Sequence, residues 1–90
     1  MTKTLADGLS IEHQQFILQY LHTNHQQLTD YLQVFEFFIK NNQQWLIQRQ
    51  EVPNRESTMF VEIRETQPIE QTVWVMDQKD DIIMLFPSDY

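Results

Sequence analysis

A chain of 90 residues has room for one domain, and we expect residues 1–90 to form it. The formal net charge of −7 disfavours direct binding to nucleic acid, which needs clustered Lys and Arg, and the absence of cysteine excludes disulfides and thiolate metal sites. The single glycine, Gly8, excludes the glycine-rich loops that bind phosphate. No segment has the apolar length of a signal peptide or a membrane span, which predicts a cytoplasmic protein that does not enter a membrane.

The first predicted element is a helix that begins after Ser10. Ser10 is a suitable N-cap, and Glu12 places an acid in the first turn, where the helix dipole favours one. Thr23-Asn24 predicts the end of this helix. Apolar side chains recur between these points at nearly the helical period, at Ile11, Phe16, Ile17, Tyr20 and Leu21.

A second helix is predicted after Asn24, which forms a capping pair with Gln27. Asn41-Asn42 weakens the helical pattern. Residues 45–50 either continue this apolar stripe or form a first strand, and we favour the strand because an uncapped helix of that length would be unusual in so small a domain. The apolar face of the predicted helix consists of Leu28, Tyr31, Leu32, Phe35, Phe38 and Ile39.

The paired glutamines of the first half mostly fall opposite the apolar stripes. They are predicted to form a solvated face, and they are Gln14-Gln15, Gln26-Gln27 and Gln43-Gln44.

The second half of the sequence is predicted to form a sheet. A polar connection at 51–57 leads to an alternating run at 58–64 that is rich in strand-forming residues. Residues 72–76 are the clearest strand, and a hairpin loop separates them from a last strand at 82–86, which Pro87 ends. Short connections of this kind favour antiparallel neighbours.

The predicted fold class is therefore α+β. Two N-terminal helices, in a helical half of about residues 10–40, precede an antiparallel meander of three or four strands in a sheet half of about residues 45–87. We expect the helices to pack on one face of the sheet. Strand alternation assigns Val73 and Val75 to that covered face.

The opposite face of the predicted sheet carries Phe60, Trp74 and Met76, beside Glu62. Monomers rarely expose an apolar patch of this kind, and aromatic anchors bordered by charge are typical of binding surfaces. Either this face binds a partner, or the sheet curls like a small barrel, or long loops cover it. Homodimerisation through this face is the simplest form of partner binding.

Three histidines of the helical half are candidate metal ligands, because imidazole is the commonest transition-metal ligand. His13 and His22 are nine residues apart, which places them on opposite sides of one helix, and His22 and His25 straddle the predicted helix end. The spacing favours hydrogen-bonding roles, with no metal or other cofactor.

Three acids, Asp77, Asp80 and Asp81, cluster in the predicted hairpin loop. The loop lacks the alternate ligands, central glycine and terminal glutamate of a calcium loop. It is either a solvated turn or an acidic recognition loop.

We therefore predict a small, acidic, non-catalytic binding or inhibitor protein of the immunity, antitoxin or anti-defence type, acting on a basic protein. Residues 46–90 hold four bases and nine acids, a net charge of −5 that would attract such a partner, although the acidity would also serve solubility alone. The predicted partner-binding residues are Phe60, Glu62, Trp74, Met76, Asp77, Asp80 and Asp81.

Two other functions were weighed against this one. In the first alternative the chain is an accessory subunit of a larger assembly. In the second it is a small enzyme with a ligand site between helices and sheet. The polar groups available for such a ligand site are His13, Tyr20, His22, Tyr31 and Glu36.

Overall fold

A mixed sheet of six strands, with one helix packed on it, makes up the described structure. The computed structural model describes residues 2–78 and 81–89. The predicted pair of helices with a meander of three or four strands is therefore wrong. The elements are β1 Thr2–Thr4, α1 Ile11–Thr23, β2 Leu32–Lys40, β3 Gln43–Gln50, β4 Arg55–Phe60, β5 Gln71–Gln78, β6 Asp81–Leu85 and a 3₁₀ turn at Pro87–Asp89.

Helix α1 begins and ends where the sequence predicts. The Ser10 hydroxyl accepts a hydrogen bond from the backbone N–H of His13 at 3.1 Å, which satisfies one of the free donors at the helix start. At the other end, the backbone N–H and the side-chain amide of Asn24 both donate to the carbonyl oxygen of Tyr20. Both helix ends are thus closed by polar residues of the chain itself.

The predicted second helix is instead strand β2, so the helical part of the chain ends at Thr23. Asn41 and Asn42 have φ values of 54° and 62°, and positive φ at both central residues is what a tight two-residue hairpin requires. This turn folds β3 back onto β2, with Lys40 paired to Gln43. The backbone hydrogen bonds between β2 and β3 therefore stabilise a strand here, although the apolar residues also have helical spacing. Residues 43–50 form a strand, as we favoured.

The last three strands differ from the prediction in length and in pairing. Strand β4 begins within the predicted polar connection and ends at Phe60, whereas β5 and β6 confirm the last two predicted strands. Strand β5 pairs with β2 and not with β4, which gives the sheet order β1-β6-β5-β2-β3-β4. The pairing of β1 with β6 is parallel and all other pairings are antiparallel. The sheet is therefore not a meander.

The hydrophobic core lies between α1 and one face of the sheet. Val73 and Val75 lie on this covered face, as predicted. The core side chains that are at most 2% exposed are Ala6, Ile17, Phe35, Phe37, Leu46, Val61, Val73, Val75 and Met84.

The other face of the sheet points away from α1, and we call it the open face. Strand alternation and the pairing register assign residues from five strands to it. They are Leu32, Val34, Glu36 and Phe38 of β2, Trp45, Ile47 and Arg49 of β3, Glu56, Thr58 and Phe60 of β4, Thr72, Trp74 and Met76 of β5, and Ile83 and Leu85 of β6.

Four glutamines lie on the covered face and are buried, so the prediction of a solvated glutamine face is wrong for Gln44, which is 1% exposed. Gln48 donates to the side-chain oxygen of Gln33 at 2.7 Å, and Gln33 donates to that of Gln50 at 2.6 Å. These bonds, and others from the amides to backbone carbonyls, offset the cost of burial, except at the side-chain oxygen of Gln48, which has no partner among the described residues. Alternation along β3 separates Gln44 from Gln43, which is exposed.

Candidate functional site

The open face is the candidate functional site because it is largely apolar and its side chains, apart from the buried Leu85, keep part of their surface accessible. Val34, Ile47 and Trp74 are half-buried, although they belong to the central strands β2, β3 and β5. Helix α1 lies on the other side of the sheet and does not shield them. The indole of Trp74 is therefore not enclosed within one copy of the chain.

An aromatic pair marks one end of the open face. The rings of Trp45 and Phe60 meet edge to face, with their centroids 5.6 Å apart. The ammonium group of Lys40 lies 5.7 Å from the centre of the Trp45 ring, within the range of a cation–π contact. Phe60 is 47% exposed, so this pair offers apolar surface to solvent.

An ion-pair cluster lies within the open face. The guanidinium of Arg49 donates to the carboxylates of Glu56 and Glu36, each at 2.9 Å. These two hydrogen bonds raise the pKa of Arg49 above its usual value, and the bond that Glu56 accepts has the larger effect. Two carboxylates share one guanidinium, so the cluster keeps one net negative charge.

A cleft of about 350 Å³ adjoins this cluster where β2 begins and β3 ends. Leu32 and Val34 provide apolar surface in the cleft, and Tyr31, which is 50% exposed, forms part of its lining. Acidic residues, two arginines and two residues with amide side chains provide the remainder. Its lining residues are Asp30, Tyr31, Leu32, Val34, Arg49, Gln50, Glu51, Asn54, Arg55 and Glu56.

The apolar residues predicted to bind a partner all lie on the open face, but they do not form one group. Phe60 belongs to β4 and Trp74 to β5, and β2 and β3 lie between them. Three strand spacings separate the two residues by about 14 Å across the sheet. The residues that lie between Phe60 and Trp74 on the open face were predicted to belong to a helix or to no binding site. Strand alternation on either side of the Asn41-Asn42 turn was the signal that would have placed them on this face. They are Val34, Phe38, Trp45 and Ile47.

The predicted acidic residues are dispersed. Glu62 follows β4, is exposed and pairs with Arg64 at 3.3 Å. Asp77 belongs to β5 and lies on the covered side by alternation, near the strand end, where it is exposed. Asp81 begins β6 on the side of the open face, opposite Gln78, and Asp80 lies outside the described residues. The predicted five-residue loop is therefore shorter, because most of it belongs to strands.

The five polar residues of the alternative ligand site do not converge. His13 and Tyr20 lie on the inner side of α1, His22 and Tyr31 are exposed, and Glu36 is on the open face. The space between helix and sheet is filled by the core side chains. Within residues 2–78 and 81–89, no three His, Asp or Glu side chains lie close enough to hold a metal ion.

The comparisons with known proteins bear on the fold alone. The chain is similar to the crystal structure of a protein of unknown function from Enterococcus faecalis, with a TM-score of 0.78 and 14% sequence identity. The alignment covers 98% of this chain and 90% of the other. No protein-family model and no curated protein matches the sequence. Helix α1, with 13 residues, is too short to cross a membrane, and no other described helix is long enough.

Proposed function

We propose that the chain is a non-catalytic cytoplasmic protein that binds a basic protein partner, in the manner of an inhibitor, through the open face. The observation that carries this proposal is the open face itself, an apolar surface with two tryptophans and an excess of carboxylates. Surfaces of this composition are commoner at protein interfaces than on isolated monomers.

The aromatic side chains would anchor the partner. Tryptophan is among the residues that contribute most to binding when they are desolvated at the centre of an interface. Trp45 and Trp74 both project from strands and not from loops, so their positions are fixed before binding and less entropy is lost on association. The smaller apolar residues between them would exclude water from the contact.

The charges of the open face favour a basic partner over an acidic one. Strand alternation also places Lys40 and Asp81 on this face, which therefore holds the carboxylates of Glu36, Glu56 and Asp81 against the two cations Arg49 and Lys40. Arg49 is paired with Glu36 and Glu56, whereas the contact of Lys40 with the Trp45 ring leaves its positive charge in place. The face thus has an excess of one negative charge, of the same sign as the net charge of −7. A basic partner would be attracted before contact, which raises the association rate and makes it sensitive to salt.

Affinity capture from the cells that make the protein tests this proposal. Two variants disrupt the open face, Trp74→Glu and Phe60→Glu, and Gln15→Glu adds the same charge to an exposed position on α1 as a control. We expect the wild type and the control to retain the same basic protein at low salt, and both open-face variants to lose it. Circular dichroism would show that each variant is folded.

Three results would overturn the proposal. In the first, the captured proteins are the same for all variants, and in the second, no basic protein is retained by the wild type. The third is a dimer of the wild type that Trp74→Glu and Phe60→Glu dissociate, because the open face would then be occupied by a second copy. Light scattering measures that mass directly.

A further inference from the structure

Strand β4 is an edge of the sheet, and its outer side presents free backbone groups. The N–H of Val61 donates to the carbonyl of Gln44 at 2.9 Å, which sets the alternation of hydrogen bonds along the β3–β4 ladder. By this alternation Glu56, Thr58 and Phe60 direct their N–H and C=O groups away from β3. The side chains of these three residues are exposed, so the edge is accessible to another chain.

This edge lacks most of the features that usually block strand addition. Proteins protect edges with Pro, Lys, bulges or very short strands. The register of β4 runs without a bulge from Phe60 to Arg55, and neither Pro nor Lys occurs in that stretch. The opposite edge of the sheet, by contrast, is the three-residue strand β1.

The cleft described above lies at the Glu56 end of the same edge. Its apolar surface comes from Leu32 and Val34, and its rim includes the carboxylates of Glu51 and Glu56. Two guanidinium groups also line the cleft: Arg49 shares its charge between two carboxylates, and Arg55 donates to the Tyr20 hydroxyl. With Asp30, the lining holds three carboxylates against these two cations. A Lys or Arg side chain fits such a site, because its aliphatic stem packs on apolar surface while its charged end meets carboxylate.

We propose that β4 is the docking edge for an extended, basic segment of the protein partner. The segment adds a seventh strand to the sheet by main-chain hydrogen bonds to Glu56, Thr58 and Phe60. One Lys or Arg side chain of the segment, opposite Glu56, enters the cleft. Strand addition of this kind gains affinity from the backbone and specificity from side-chain pockets. This inference rests on the proposed function, since it names how the basic partner binds beside the open face.

Charge disfavours a second copy of this chain at the same edge. Antiparallel pairing of two β4 strands would bring Glu56 of each copy, and Glu62 just beyond each strand, to the same seam, where like charges repel. Each copy also carries a net charge of −7. A basic segment meets neither obstacle.

Selection from a displayed library of random peptides tests the docking edge. We expect the selected peptides to share one Lys or Arg within residues of high strand propensity, and to lose binding when that residue is changed to Glu. The variant Thr58→Pro removes the outward N–H and leaves the bonds to β3, so it should weaken peptide binding by about tenfold. Thr58→Val keeps the N–H and is the matched control. Hydrogen exchange at Glu56, Thr58 and Phe60 should slow in the complex.

Binding that Thr58→Pro does not weaken would overturn the docking edge. So would selected peptides without a shared basic residue, or no peptide above the background of the empty support. Peptides that lose binding to Trp74→Glu but not to Thr58→Pro would reject this inference while the open face stands as the binding surface. A wild-type dimer that Thr58→Pro dissociates would assign the edge to a second copy and would also overturn it.

Discussion

The ring nitrogen Nε2 of His13 lies 2.9 Å from the side-chain oxygen of Gln44, and this contact joins α1 to the β2–β3 hairpin. Both residues are buried. The same oxygen accepts a hydrogen bond from the backbone N–H of Ile69 at 2.7 Å. One amide thus holds together the helix, the hairpin and the segment that leads to β5.

Replacing Gln44 with Leu should destabilise the protein by about 2–5 kcal/mol. The change leaves the His13 ring and the Ile69 N–H without their partner in the core, and a buried unpaired group costs about 1–3 kcal/mol. Urea unfolding measures the loss. Gln43→Leu is the matched control, since Gln43 is the exposed neighbour, and it should change stability by less than about 0.5 kcal/mol. Equal effects of the two variants would contradict this account of Gln44.

The carboxylate of Glu12 should make stability depend on pH. Hydrogen bonds from the backbone N–H of Arg64, and then from those of Glu65 and Thr66, lower the pKa of Glu12 below its ordinary value of 4.5. A carboxyl group whose pKa is lower in the folded state contributes stability above its unfolded pKa, and loses that contribution as the pH falls through the folded value. The wild type should therefore exceed Glu12→Gln in unfolding free energy at neutral pH, and the difference should shrink as the pH falls below 4.5 and vanish below the folded pKa of Glu12.

Glu70→Gln controls for the change in net charge, because Glu70 is exposed. Unfolding of the three proteins by urea at several pH values gives the comparison. If the difference in unfolding free energy between the wild type and Glu12→Gln stays constant with pH, the charge of the Glu12 carboxylate does not contribute to stability.

Two valines on opposite faces of the sheet allow the core to be compared with the open face by the same substitution. Val75 is fully buried under α1, and Val34 is half-buried on the open face. Val75→Ala should cost about 2 kcal/mol or more, since it removes buried apolar groups and leaves a cavity. Val34→Ala should cost less than about half as much. Equal losses in dilute protein would mean that the open face is covered within one copy.

At the Asn41-Asn42 turn, substitution by Gly and substitution by Ala should change the thermal stability of the protein in different directions. A left-handed backbone costs residues with a Cβ about 1–2 kcal/mol, and Gly avoids this penalty. Asn42→Gly should therefore keep or raise the midpoint of thermal unfolding, and Asn42→Ala should lower it. A lower midpoint for Asn42→Gly than for Asn42→Ala would contradict the role given to positive φ at this turn.

Local signals in the sequence predicted several parts of the fold. The Ser10 cap and the Asn24 stop lie within a few residues of the helix that they end, so they do not depend on the rest of the chain. The strands β5 and β6 were predicted for the same reason, because alternation of β-branched and apolar residues is visible over a few positions. The sorting of Val73 and Val75 from Trp74 onto opposite faces followed from that alternation.

The misassignment of β2 has a specific cause. Phe35 and Phe38 lie at helical spacing with Leu28 and Leu32, and the same residues also suit a strand, so periodicity alone did not decide between them. Tertiary pairing with β3 and β5 decided it. The Asn41-Asn42 dipeptide was the local signal of a hairpin, and it was interpreted as a weak point in a helix.

The candidate site depended on that error. Trp74, Met76 and Phe60 were assigned to the exposed side from their own strands, but their neighbours across the sheet follow from a strand order that no local pattern contains. The buried glutamines were also beyond local reasoning, since Gln44 is stabilised by groups as distant as His13 and Ile69. Polarity predicts exposure only where such distant partners are missing.

The parallel contact of Thr2–Thr4 with β6 joins positions about 80 residues apart in the chain. The other strand pairs join residues that are closer in sequence. Closing the loop of about 80 residues between β1 and β6 costs more entropy and is slower. We therefore expect β1 to dock last during folding. On the ribosome, β1 would wait, unpaired, until β6 has emerged.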